Sequence, residues 1–153
     1  MVQLTSLLSV LYSTQLRLFM QKMIIPSVTN DGRGTSLFST REIALHGEPL
    51  RMLSEQQDCV NFRLRHSTAN YSSDWHVAGD PTLLVILKGT VAIILRDGTT
   101  KTFAAGELFI AEDYLLPEVV FDNATHGHRA EVVGEEALSV LHLKLARLKT
   151  KSN

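Results

Sequence analysis

The chain has 153 residues, 44% of them apolar, and a formal net charge of −1, which suits one soluble domain with a single hydrophobic core. No basic excess is present to neutralise phosphates, so nucleic acid is excluded as the expected partner. Cys59 is the only cysteine, which rules out an intramolecular disulfide and any CxxC metal site, and a reducing, cytoplasmic compartment fits it best.

Residues 1–30 contain no Asp or Glu. Within them Leu4, Leu7, Leu8, Leu11, Leu18 and Phe19 recur at helical spacing, which predicts an amphipathic helix over residues 3–21. Arg17 and Lys22 interrupt the apolar run and leave it too short to span a membrane. Its charge follows the apolar stretch, the reverse of a secretory signal. Three readings stay open: a docking helix, upstream sequence before a start at Met20 or Met23, and a mitochondrial transit segment poor in basic residues. Pro26 is expected to stop the helix, and residues 29–34 read as a loop. The resulting division is an extension over 1–30, a domain over 31–146 and a basic tail over 147–153.

From residue 36 the pattern turns to short strands. Candidates are Ser36–Ser39, Ile43–Leu45, Cys59–His66, Pro81–Lys88, Val91–Leu95, Lys101–Phe103, Leu108–Ala111, Ala130–Val133 and Ser139–Leu145. Lys88-Gly89-Thr90 and Arg96-Asp97-Gly98-Thr99 are hairpin signals, and Ala105-Gly106-Glu107 is a further turn. No helical pattern alternates with the strands, so the fold class is all-β, a sandwich or barrel. Two strands, Leu83–Leu87 and Val91–Leu95, are apolar on both faces. One face fills the core and the other needs cover, which makes a homodimer the default expectation. Cys59 falls in an apolar strand, where a buried thiol is inert, and no Gly-x-Ser-x-Gly or phosphate-binding glycine loop is present.

The stretch 74–133 carries a resemblance. Asp74-Trp75-His76, then Pro81 to Gly89, looks like the first cupin motif; Phe103 to Asp113, followed by Gly127-His128-Arg129, looks like the second. The chain thus resembles small single-domain cupins of bacteria and fungi, including cupin oxidoreductases of fungal polyketide clusters. The implied fold is a cupin double-stranded β-helix, a jelly-roll barrel, here with an N-terminal helical extension. The family's metal pattern transfers in part: His76 and His128 fall at ligand positions, while Ala78 and Thr82 stand where a second His and a Glu belong.

His126 and His128 lie two apart, so on a regular strand both rings share a face. With His76 they would make a three-imidazole site for Fe, Zn, Mn, Ni or Cu. Asp113 would serve as a fourth ligand or orient a histidine from behind. The alternative leaves His126 in the preceding loop, with His76 and His128 as hydrogen-bonded interior residues. In the resembling family Trp75 sits close to the site, where it would stack on a planar ligand or simply pack. Arg63 and Arg65 alternate with Phe62 and Leu64, and an arginine there, Arg63 for one, would bind a ligand carboxylate or face solvent. His46 and His142 look incidental, and Lys144 reads as the start of the basic end. Three functions follow: a metal-dependent oxidoreductase acting on a small organic, aromatic or polyketide molecule; a metal-free binding module or isomerase/dehydratase with His76 and His128 as acid and base; and a partner protein docking through its N-terminal helix.

Overall fold

The computed structural model describes residues 21–146. They form ten strands and no helix: β1 (Gln21–Thr29), β2 (Leu37–Glu48), β3 (Arg51–Leu53), β4 (Cys59–Ser67), β5 (Thr82–Lys88), β6 (Thr90–Ile94), β7 (Thr100–Ala104), β8 (Leu108–Ala111), β9 (Arg129–Val132) and β10 (Leu138–Leu145). The helix expected over residues 3–21 lies outside the described residues except at its last position, and so does the basic tail. Gln21 already belongs to β1, and Pro26 does not stop a helix but sits inside that strand. Toward β8 its missing N–H leaves no cross-strand pair unmade, because those pairs begin one residue later, at Ser27 and Val28.

Two compact units divide these residues. In the smaller one, residues 21–24 and 42–56, β2 pairs antiparallel with β3 through His46–Leu53, Gly47–Met52 and Glu48–Arg51. The larger one holds residues 25–41 and 57–146. Its first sheet runs β1-β8-β5-β10-β4, and its second runs β7-β6-β9. Among the described residues, pairing therefore gives two sheets rather than one continuously closed barrel. They share a core, with Val28, Ile86, Phe109 and Val140 from the first packed on Val91, Ile93, Phe103 and Val132 from the second. The rings of Phe103 and Phe109 stack across it at 4.4 Å. The hairpin between β6 and β7 turns at Gly98, whose φ of 86° suits glycine.

Strand register sorts side chains into rows. Ile86, Val140 and Arg65 lie side by side across β5, β10 and β4; the next row is Leu84, His142, Arg63, and the next Thr82, Lys144, Asn61. Ile86 and Val140 are core residues, so these rows mark the inner face. Phe62 and Leu64 alternate with the arginines on the opposite face, where they stay 69% and 70% exposed. Strand β4 therefore turns its charges inward and its apolar side chains outward. Cys59, at its start, is exposed rather than buried, because β4 is an edge strand with little packed over it.

Candidate functional site

His76 lies between β4 and β5, and His128 immediately precedes β9. The two segments meet in an isolated antiparallel bridge, each residue donating its amide to the other's carbonyl at 3.0 and 2.9 Å. Gly127 permits the approach. Its φ is 81°, and a Cβ added there would stand 2.3 Å from the His76 carbonyl oxygen. The bridge sets the two imidazoles 4.6 Å apart, centre to centre, tilted by 53°.

Behind them sits Asp113, just past β8 and fully buried. Its Oδ2 accepts from the Ser36 hydroxyl at 2.6 Å and from His128 Nδ1 at 2.7 Å, and its Oδ1 accepts from the Ala78 amide at 2.9 Å. Burial alone would raise this carboxyl's pKa. The His128 bond and charge, the Ser36 hydroxyl and the Ala78 amide outweigh it, and the net shift is downward. Asp113 is therefore an ionised acceptor, and Nδ1 of His128 carries the proton it receives.

His76 donates from Nδ1 to the Asp74 carbonyl at 2.8 Å, since a carbonyl only accepts. Burial lowers the pKa of this ring; the Asp74 bond opposes the shift, while the neighbouring His128 and the charge of Arg65 add to it. His76 is neutral near pH 7, with its lone pair on Nε2. With both Nδ1 atoms spent, the pair offers two Nε2 atoms for chemistry, the partly exposed His76 outermost and the buried His128 beneath it.

The three-imidazole site expected from His76, His126 and His128 is not assembled. His126 Nδ1 accepts the Asp122 amide at 3.0 Å, closing the loop at 122–126, and its ring faces the edge of Phe121. Its carbonyl accepts Nε and Nη2 of Arg96 at 3.0 and 2.7 Å. The Arg96 guanidinium in turn lies 3.7 Å from the ring centre of Trp75, so that indole already has a cation stacked on it. Among the described residues no three His, Cys, Asp or Glu side chains come together as a metal-holding group. Both Asp113 oxygens are engaged, the Thr82 hydroxyl bonds the Asp80 carbonyl, and Ala78 offers no donor side chain. Two imidazoles alone do not fit a resident transition metal.

Arg63 lies on the inner row beside His142, and with Arg65 and Lys144 these line a groove of about 410 Å³. Arg65 and His142 also border an apolar cavity of about 50 Å³ walled by Leu84, Ile86, Phe109 and Val140. Burial lowers the His142 pKa, and the charges of Arg65 and Arg63 lower it further. Sequence reasoning passed over His142 and Lys144. Their alternation with Leu141 and Leu143 was the available signal, because it puts both on the face that carries Arg63.

No protein-family model matches the chain, and no curated protein matches it. Solved structures are similar. A cupin-2 domain containing protein from Shewanella frigidimarina is 15% identical, covers 88% of this chain and 92% of that one, and has a TM-score of 0.41. The cupin domain of Cnp3 from Schizosaccharomyces pombe is 12% identical over 82% and 83% of the two chains, with a TM-score of 0.39. The protein NMB1881 from Neisseria meningitidis is 21% identical over 60% and 84%, with a TM-score of 0.41. Two of these three are cupin domains. No helix among the described residues is long and apolar enough to cross a membrane.

Proposed function

We propose that this chain is a small cupin domain whose His76–His128 pair moves protons on a small organic molecule without a resident metal, in the manner of an isomerase or dehydratase. The observation that carries the reading is the file Asp113–His128–His76. A buried carboxylate fixes one tautomer, a backbone carbonyl fixes the other, and two Nε2 atoms remain. A neutral imidazole whose pKa lies somewhat below 6.5 is a competent base near neutrality. Asp113 engages His128 at Nδ1, which leaves its Nε2 free, and stabilises that ring when it takes a proton. A metal-dependent oxidoreductase would need a third ligand that the described residues do not supply.

The test is proton exchange at carbon. Wild-type protein stripped with chelator is incubated in D2O with pyruvate, 2-oxobutyrate or phenylpyruvate, and loss of the α-proton signal is followed by NMR. Exchange above buffer that is unchanged by chelator and lost in His76→Ala/His128→Ala supports the reading. Exchange that requires added metal, that survives in the double variant, or that is absent with all three probes refutes it.

We also propose that a second copy covers the outward face of β4 and β10, where Phe62 and Leu64 are exposed beside Leu143 and Leu141.

A further inference from the structure

Strand β4 has an inverted pattern. An edge strand ordinarily shows solvent its charges and the core its leucines. Here Arg63 and Arg65 share rows with His142 and with the core residues Val140 and Ile86, while Phe62 and Leu64 stand outside. Arg63 and Arg65 thus lie on the core-facing side of the sheet, both residues still exposed at its edge.

Those cations lack internal counter-ions. Among the described residues neither guanidinium has a carboxylate partner: Arg65 bonds the Ser67 hydroxyl at 3.2 Å and lies over the Tyr71 ring, and no ion pair involves Arg63. Lys144 is paired with Asp80 at 3.6 Å, and Glu131, which borders the cavity, is held by Arg129 at 2.7 Å. The groove therefore carries a local positive charge in a chain whose net charge is −1. Directly behind it opens the apolar cavity, with Arg65 and His142 on both rims.

We infer that this mouth binds an organic carboxylate, its head held by Arg63 and Arg65, its body lying in the groove and no more than a methyl-sized end reaching the cavity of about 50 Å³. A guanidinium fork matches a carboxylate in two parallel hydrogen bonds, and a groove of about 410 Å³ has the size of a small-ligand site. The inference deepens the acid–base reading, on which it rests for its connection to chemistry; Arg65 and His142 border both the groove and the cavity, and the charge of Arg65 is felt at His76.

The experiment is calorimetric titration of the full chain with phenylacetate and octanoate, each against its neutral counterpart, 2-phenylethanol and octanol. The carboxylates should bind at least about tenfold more tightly than the alcohols, the advantage of a charge-assisted over a neutral hydrogen bond. Arg63→Gln/Arg65→Gln should remove that advantage and leave the alcohols unchanged, while Arg63→Lys/Arg65→Lys, which keeps the charge, should retain part of it. A pair of arginines that serves only to guard the β4 edge against pairing predicts no carboxylate preference. Equal binding of acid and alcohol, no effect of the glutamine variants, or no saturation by either acid overturns the inference. His76→Ala/His128→Ala separates the two claims: it should abolish proton exchange and still leave the carboxylates bound more tightly than the alcohols. Binding that persists without any exchange in wild-type protein sinks the acid–base reading alone.

Discussion

Gly127→Ala should cost far more than the same change at Gly98, and the difference measures the approach that builds the site. Both glycines have positive φ, 81° and 86°, so each alanine carries the left-handed penalty of about 1–2 kcal/mol. At Gly98 nothing lies within 4 Å of the added Cβ, and the cost ends there. At Gly127 the Cβ meets the His76 carbonyl oxygen at 2.3 Å and its carbon at 2.6 Å, well inside the 3.0 Å that real Cβ contacts respect. Those atoms are backbone, so relief requires the 76 and 128 segments to part. Parting breaks the two reciprocal amide–carbonyl bonds at 3.0 and 2.9 Å, about 1 kcal/mol each. The expected loss is about 3–4 kcal/mol at Gly127 against about 1–2 at Gly98. Urea unfolding at pH 7 reads both values, and imidazole NMR of Gly127→Ala should show His76 and His128 shifted apart from their wild-type environment. Equal losses in the two variants, or unchanged imidazole signals at Gly127→Ala, would refute the reasoning.

Asp113→Asn should destabilise the domain by about 2–4 kcal/mol, because an amide supplies one acceptor oxygen and an NH2 where three donors converge on a buried carboxylate. The folded pKa of Asp113 is depressed, so its contribution is present above the ordinary carboxylate range and is lost as pH falls through the folded value; acid unfolding below about pH 4 should be shallower in the variant. His76 should titrate below 6.5 by NMR, and Arg65→Gln should raise its midpoint, whereas an unmoved midpoint would show that the guanidinium does not act on this ring. Since the folded form of His76 binds its proton less readily than the unfolded one, its share of stability also declines as pH drops below 6.5. Phe62→Glu/Leu64→Glu should convert a dimer to a monomer in sedimentation analysis, and wild-type protein that is monomeric at every concentration tested would remove the homodimer proposal.

Most strands were legible because two devices announce them locally: period-two alternation and glycine turns. Leu108–Ala111 has the same bounds in sequence and structure, and the neighbouring strands differ by a residue or two. Strand β1 was missed because Met23, Ile24 and Ile25 extend an apolar run that also reads as a helix, and Pro26 reads as its end. It is a strand through its sheet neighbours, among them its parallel partner β8, more than eighty residues on. The meeting of His76 with His128 followed motif positions, yet the fate of His126 did not. A spacing of two places both rings on one face only in a regular strand, and β9 begins after His128, so the Asp122 amide captures His126 within a loop. Arg63 was legible from the sequence as a carboxylate binder, but its neighbours in the mouth were not, for a related reason. Arg63, His142 and Lys144 are distant in sequence, and only the β4–β10 register sets them beside one another.

The charges of the mouth form an ordered series. Asp113 is negative and buried, His128 leans on it, His76 stands at the rim, and Arg65 presses from outside on both His76 and His142. Burial lowers the basicity of His76 first, and the neighbouring His128 and the guanidinium of Arg65 add to that shift. Under the proposed binding, a carboxylate seated on Arg65 would offset that contribution and raise the proton affinity of His76. Linkage makes the effect mutual: whatever the carboxylate adds to the proton affinity of His76, a proton on His76 adds to the affinity for the carboxylate. The arginine that recognises the ligand head would then also tune the ring that takes the ligand's proton.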